Sequence, residues 1–281
     1  MPRSAQSLRS MNRRLFSRLG LALVCTALLG GPVMAYEDVG HSNPADQDLK
    51  NIIVGPQRTS ANRDRDASRN PYEVLHFFGL NKNMTVVEIW PGAGYWTEIL
   101  APYLHEHGTY YAALGESSKM MDAKLATDPE LYGQVKLTRF DGDKYAIAPD
   151  GTADLVVTFR NLHNWMDDGT AQAAFRAFFK ALKPGGVLGI EDHRGRTDQP
   201  QDERAGTGYV RQDYAIALAE KAGFLYAGSS EVNANPKDTK DYPEGVWTLP
   251  PTFKLGDVDR AKYAAIGESD RFVLKFTKPL N

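Results

Sequence analysis

The chain has 281 residues, with 33 Lys and Arg against 35 Asp and Glu, a net charge of −2, and one cysteine. The slight acidic balance argues against non-specific nucleic-acid binding. A lone cysteine excludes a disulfide framework and a Cys-ligated metal site.

The first 35 residues read as a removable export segment. "MPRSAQSLRSMNRRLFSRLG" holds five arginines (3, 9, 13, 14 and 18) and no acid, and "LALVCTALLGG" is a short apolar core. "VMA" at 33–35 then offers small residues at cleavage spacing, which makes Tyr36 the expected mature N-terminus. The apolar run is short and glycine-rich, so no stable membrane span is expected after cleavage and the predicted location is the periplasm. "NRRLFSR" also resembles a twin-arginine signal, a route that carries folded proteins, while an ordinary secretory signal holding two arginines reads equally well. Cys25 falls inside the leader. Without it the chain keeps 28 basic and 35 acidic residues, a net charge of −7, and 246 residues that suit one domain over 36–281.

Residues 36–69 are polar, and "NRDRDASRN" (62–70) has no apolar period, so a loop or arm over a site is expected. "PYEVLHFFGL" (71–80) predicts a short helix with Pro71 in its first turn and its end near Gly79. β-Branched and helical patterns then alternate. Strands are predicted at 84–90, 108–114, 135–140, 153–160 and 187–192, and helices at 95–104, 117–128 (with serine caps), 170–183 and 210–224. Pro184-Gly185-Gly186 is expected to end the third of these helices. Two last strands follow at 224–232 and 271–278. The alternation predicts an α/β fold: a Rossmann-like, seven-stranded, mostly parallel sheet with helices on both faces. The segment 233–270 breaks the rhythm as a long insertion before the last strand, and its aromatics and prolines suggest an ordered cover.

The most informative stretch is "TVVEIWPGAGYWTEIL" (85–100), a strand running into a glycine turn and a helix. Gly92 and Gly94 would let a ligand approach the backbone N–H groups at the helix start. A dinucleotide site wants a small residue at the third glycine position, where this chain has Thr97, and an apolar strand end, where it has Glu88. The run resembles instead motif I of the class I S-adenosylmethionine-dependent methyltransferases, with Glu88 as the acid, Pro91 as a common filler, and Gly92 and Gly94 as second and third glycines. Trp90 stands at the first glycine, a departure from that pattern. "FDGDKYAIAPDGTADLVVTF" and "FFKALKPGGVLGIEDHR" extend the resemblance over 71–232 and again at 271–278. It implies S-adenosyl-L-methionine as cofactor, Glu116 on the ribose, Asp141 (or Asp143) on the adenine, and Arg160 among the cofactor-binding residues. More narrowly, "VVEIWPGAGYWTEILAPYL", "RNLHNW" and "GESDRFVLKF" resemble a group of exported bacterial proteins classed as predicted methyltransferases.

Two polar clusters fall beyond the strand ends, where open α/β sheets bind ligands. Arg160-Asn161-Leu162-His163-Asn164-Trp165 follows the fourth strand and Asp192-His193-Arg194 the fifth. In the methyltransferases that this chain resembles, the first of these loops faces the transferred methyl. His163 or His193 would serve as base, Asn161 and Asn164 would orient an amine or hydroxyl, and Trp165 would stack on a flat acceptor. The alternatives are that the asparagines cap a helix, that Trp165 is core, and that Asp192-His193-Arg194 is a surface cluster. No residues have helical metal-ligand spacing, so no metal is expected. Glu268, Asp270 and Arg271 read as an ion-pair latch holding the insertion down, or as a solvated turn. The expected partner is a small-molecule acceptor; the oligomeric state is not legible. An export signal fits poorly with a cofactor made in the cytoplasm. The enzyme would then act before export or travel folded with cofactor bound; otherwise the fold survives as a ligand-binding protein without chemistry.

Overall fold

The computed structural model describes residues 46–141 and 144–281. Residues 1–35, read from sequence as an export segment, and Asp143 lie outside these residues. The amino-terminal part holds four helices: α1 (Gln47–Ile53), α2 (Ser60–Arg63), α3 (Asp66–Arg69) and α4 (Pro71–Phe78). The stretch 62–70, expected as a loop or arm, is therefore largely helical. Asp46 caps α1 through its side chain, which accepts from Leu49 N. Gly79 closes α4 in the left-handed conformation that glycine adopts without penalty.

The alternating part then runs β1 (Thr85–Ile89), α5 (Thr97–Leu104), β2 (Thr109–Leu114), α6 (Lys119–Leu125), α7 (Pro129–Tyr132), β3 (Lys136–Arg139) and β4 (Ala153–Phe159). It continues with α8 (Leu162–Asp167), α9 (Ala171–Ala181), β5 (Leu182–His193), α10 (Gln212–Lys221) and β6 (Leu225–Ser230). After the insertion, with a 3₁₀ turn at Gly245–Thr248 and α11 (Arg260–Ile266), comes β7 (Arg271–Thr277). The seven strands form one sheet in the order β3-β2-β1-β4-β5-β7-β6. The first five in that order are parallel, and β7 pairs antiparallel with both β5 and β6.

Two further elements differ from the sequence expectation. Pro184-Gly185-Gly186 does not separate α9 from β5; the strand already starts at Leu182 and carries the three residues, with a register irregularity opposite Ala153–Leu155. The backbone leaves the helix at Leu182, whose ψ is extended. Of the two serines before α6, Ser118 does not cap it, its hydroxyl donating to Asp122, while Ser117 Oγ accepts from the first N–H, of Lys119, at 3.4 Å.

Each face of the sheet is buried under its own helices, as a parallel sheet requires. Val87, Ile89, Val156, Leu188 and Ile190 pack with Phe175 and Phe178 of α9. Val86, Leu155 and Val157 pack with Leu75 and Phe78 of α4 and Ile99 and Leu100 of α5. Gly189 is dictated by that second face: a Cβ there would stand 2.7 Å from the Phe78 ring. The five parallel strands all end on one edge. The antiparallel β7 starts on that same edge, opposite His193, so the residues just before it join the strand-end loops.

Candidate active site at the carboxyl edge of the sheet

The glycine turn has the geometry a nucleotide-type ligand needs. Pro91 is buried, Gly92 and Ala93 are exposed, and Gly92 and Gly94 have φ of 59° and 87°. A Cβ added at Gly92 would meet nothing within 4 Å, so the space before the backbone is open. The turn is tied by Gly94 N to Pro91 O (3.0 Å) and runs into α5 through Glu98 N to Gly94 O (3.1 Å). Glu88 lies beneath it, fully buried, accepting from Tyr110 Oη at 2.5 Å and from Thr97 Oγ1 at 3.4 Å. Burial pushes its carboxyl up to about 7, and the two hydroxyls pull it partly back. Glu88 is therefore a buried brace of β1, β2 and α5.

Glu116 and Asp141 flank the same end of the sheet. Glu116 is exposed and Asp141 half-buried. Arg139 joins the two loops: its Nη1 donates to Gly115 O (2.8 Å) and Glu116 O (3.3 Å) and pairs with Asp141 at 3.4 Å. An open glycine turn with two acids along β1, β2 and β3 suits a nucleoside cofactor. Trp90 works against it. It holds φ of 51°, a conformation that costs a bulky residue energy, and its indole N–H donates to Phe140 O at 2.7 Å. The ring packs edge-on against Phe140 and Trp165 and lies against Gly115, where a Cβ would be 3.1 Å from Nε1. The first-glycine position is thus filled by an indole spanning the ends of β1, β2 and β3.

The second cluster is built from side chains. Asp192, with no exposed surface, accepts from His163 Nδ1 (2.9 Å), His163 N (3.1 Å) and His193 N (2.7 Å). A carboxylate can only accept, so the proton of this bond sits on Nδ1 of His163, and Nε2 is the ring nitrogen that Asp192 leaves free. His193 stands 5.2 Å from His163 between ring centres, and its Nδ1 meets Ser269 Oγ at 2.5 Å. Burial, then His163, Arg160 and Arg271, hold His193 well below the usual imidazole value, so it is neutral at physiological pH. The three groups His163, Asp192 and His193 lie within reach of a single ion. Nδ1 of His163 and both Asp192 oxygens are nevertheless already engaged with one another. Asp192-His193 is buried, unlike the surface cluster considered from sequence, while Arg194 pairs with Glu231 and Asp270.

Asn161 and Asn164 take different places. Asn161 does not cap α8; its amide donates to Ile89 O (3.0 Å) and Thr158 Oγ1 (3.1 Å), which clamps β1 to β4. Asn164 lines a cavity of about 180 Å³ with Arg160, His163 and His193. Trp247, Pro250 and Pro251 of the insertion form the facing wall. Arg160, grouped from sequence with the cofactor residues, shares this cavity with the histidines. It has φ of 61°, and burial lowers its guanidinium from the ordinary value, with Glu268 opposing. Trp165 is core, 1% exposed.

The stretch before β7 is a buried ion seam, not a solvated turn. Arg271 contacts Glu268 (2.6 Å), Glu191 (3.3 Å) and Ser68 O, and Glu268 also meets Arg65 (3.1 Å) and Arg69 (3.5 Å). Asp270 takes Lys240 of the insertion at 2.7 Å. Both the insertion and α3 are therefore fastened to the strand-end edge. Beside them Tyr95, next in chain after Gly94, carries Arg58 and Arg69 over its ring and donates to Asp66. Sequence reading missed Asp192 as the partner of His163, Trp247 as a cavity wall, and Ser269. Only the position of "DHR" directly after a predicted strand pointed to the first.

Residues 87–190 match the family described as "Methyltransferase domain". No curated protein matches the chain in sequence. Among solved structures, a SAM-dependent methyltransferase from Aquifex aeolicus is similar at 18% identity and a TM-score of 0.51, covering 82% of this chain and 97% of that one. The [4+2]-cyclase SpnF is similar at 17% identity and a TM-score of 0.55, covering 84% and 93%. A phosphoethanolamine N-methyltransferase from Haemonchus contortus, solved with S-adenosyl-L-methionine, is similar at 15% identity and a TM-score of 0.50, covering 75% and 52%. The chain has the Rossmann-like fold of these proteins, and the match to the methyltransferase family takes in its glycine turn and the His163-bearing end of β4 and stops at Ile190, before Asp192 and His193. The cyclase on the same fold is a reminder that the fold alone does not name a reaction.

Proposed function

We propose that this chain is an S-adenosylmethionine-dependent methyltransferase acting on a small-molecule acceptor, with His163, held by Asp192, as the base. The observation that carries the reading is the juxtaposition, on one sheet edge, of an open glycine turn and a carboxylate-oriented imidazole. Glu116 and Asp141 would hold the ribose and adenine of the cofactor, and the backbone of Gly92 to Gly94 its amino-acid end. Bound there, the cofactor supplies an electrophilic methyl group. The chain's own work is to align the acceptor and accept its proton at His163 Nε2. Asn164 is placed to orient that acceptor, and His193 stays neutral and steadies Ser269. Asn161 acts one step back by clamping the strand ends. We also propose export to the periplasm through the segment 1–35, which rests on the sequence pattern.

One observation favours a second reading. The Trp90 indole packs on Gly115 and Phe140, the residues directly before Glu116 and Asp141, and a bulky ring there fits a binding protein that has lost the cofactor. Calorimetry of the full chain with S-adenosylmethionine and S-adenosylhomocysteine, beside Gly92→Arg, separates the two. Micromolar binding that Gly92→Arg abolishes, with the variant's thermal unfolding unchanged, supports the enzyme. No binding at millimolar ligand overturns it in favour of the second reading.

A further inference from the structure

The cavity beside His163 has two unlike walls. The insertion contributes Val246, Trp247, Pro250, Pro251 and Thr252, an aromatic and aliphatic surface with one hydroxyl. The strand ends contribute Arg160, His163 and His193, with Asn164 at the rim. At about 180 Å³ it is smaller than the roughly 300–1,000 Å³ of drug-sized sites, so its occupant is a small molecule.

The charge balance around Arg160 is the informative feature. Its guanidinium makes no hydrogen bond or ion pair among the described residues. Glu268 and Glu191 are the acids whose charge it feels, and both also pair with other groups. Glu268 is shared by Arg65, Arg69 and Arg271, and Glu191 by Arg271 and Asn233. Arg65 and Arg271 add positive charge at Arg160. The two imidazoles contribute no anion, and Asp192 is turned away onto the histidine N–H groups. Arg160 is half-buried in the cavity wall, so a guanidinium whose neighbouring carboxylates already serve other arginines is open to an anion entering that cavity.

We infer that this cavity binds a small organic acid with a flat apolar body, its carboxylate on Arg160 and its body against Trp247. The planar guanidinium fork matches a carboxylate in two parallel hydrogen bonds. Trp247, whose ring stands 5.9 Å from that of His163, gives the body a face to stack on. The inference rests on the methyltransferase reading insofar as this acid is the acceptor: an acid seated so would present its far end to His163 and Asn164.

The test uses benzoate and benzamide, which share a ring and differ in charge, titrated by calorimetry into the full chain. The same samples are titrated with S-adenosylhomocysteine. Benzoate should bind wild type at least about tenfold more tightly than benzamide, the scale of one charge-assisted hydrogen bond. Arg160→Gln should erase that preference, Arg160→Lys should restore part of it, and Trp247→Ala should weaken both probes alike. S-adenosylhomocysteine binding should stay within about threefold in Arg160→Gln, since Arg160 lies with the histidines and not at the glycine turn. Equal binding of the two probes to wild type, or a preference that survives Arg160→Gln, overturns the inference. So does a loss of S-adenosylhomocysteine binding in Arg160→Gln with the benzoate preference intact, which would give Arg160 to the cofactor. Benzoate preference in a wild type that never binds S-adenosylhomocysteine would keep the acid site and remove the methyl-transfer reading.

Discussion

The two halves of the carboxyl edge are made by opposite means. Along β1, β2 and β3 the site is mostly backbone: an open turn at Gly92 and Ala93, with Glu116 exposed and Asp141 half-buried. Along β4, β5 and β7 it is made of buried side chains: Asp192 under two histidines, and Arg271 between Glu191 and Glu268. The first half can be assembled from local chain geometry and tolerates changes of side chain. The second exists only if several distant charged groups are buried together and satisfied together. A ligand shared by many relatives suits the first kind of site, and a ligand particular to one protein suits the second.

The contrast can be broken by substitution, and the largest effect should come from the side-chain half. Arg271→Met leaves Glu191 and Glu268 buried without their shared partner, so chemical denaturation should show a loss of about 3–5 kcal/mol. A loss below about 1 kcal/mol would mean that the seam is solvated and the contrast false.

The backbone half has one exception, Glu88, and it sharpens the point. Its folded-state value of about 7 lies above the 4.5 of an ordinary carboxyl, so the folded protein holds the proton longer than the unfolded chain. Its contribution to stability is complete below pH about 4.5 and declines by up to about 3 kcal/mol as the pH rises to about 7. Subtracting the stability profile of Glu88→Gln from that of wild type should reveal this slope. A flat difference would mean that Glu88 ionises normally and that the strand end is wet.

Trp90→Gly comes next in size. It replaces an indole at φ of 51° with the residue that adopts this conformation freely. S-adenosylhomocysteine should bind roughly tenfold more tightly, equivalent to about 1.4 kcal/mol. Unchanged or weaker binding would show that the indole forms part of the cofactor floor and does not obstruct it. The smallest effect belongs to Glu116→Ala, whose stability should stay within about 0.5 kcal/mol of wild type. Its cofactor affinity should fall while benzoate binding stays unchanged, since the two halves are separate sites.

The sequence by itself determined the parts that depend on neighbours along the chain. Alternating β-branched runs and helical periods gave the α/β class, and Gly92 and Gly94 marked the turn, because a left-handed backbone conformation selects glycine locally. The helix from Pro71 and the strands at Thr85 and Arg271 were legible for the same reason. Tertiary structure decided the rest. The Pro184-Gly185-Gly186 run became strand because β4 offered a partner for it, and 62–70 became helix because Arg58, Arg65 and Arg69 found partners in Asp66, Tyr95 and Glu268. His163 meets Asp192 across 29 positions and His193 meets Ser269 across 76. Trp247 reaches the cavity only because the insertion is fastened to β7 through Lys240 and Asp270. No local pattern encodes those meetings. They follow from strand order and from the requirement that each buried charge find a partner, and both are properties of the folded chain as a whole.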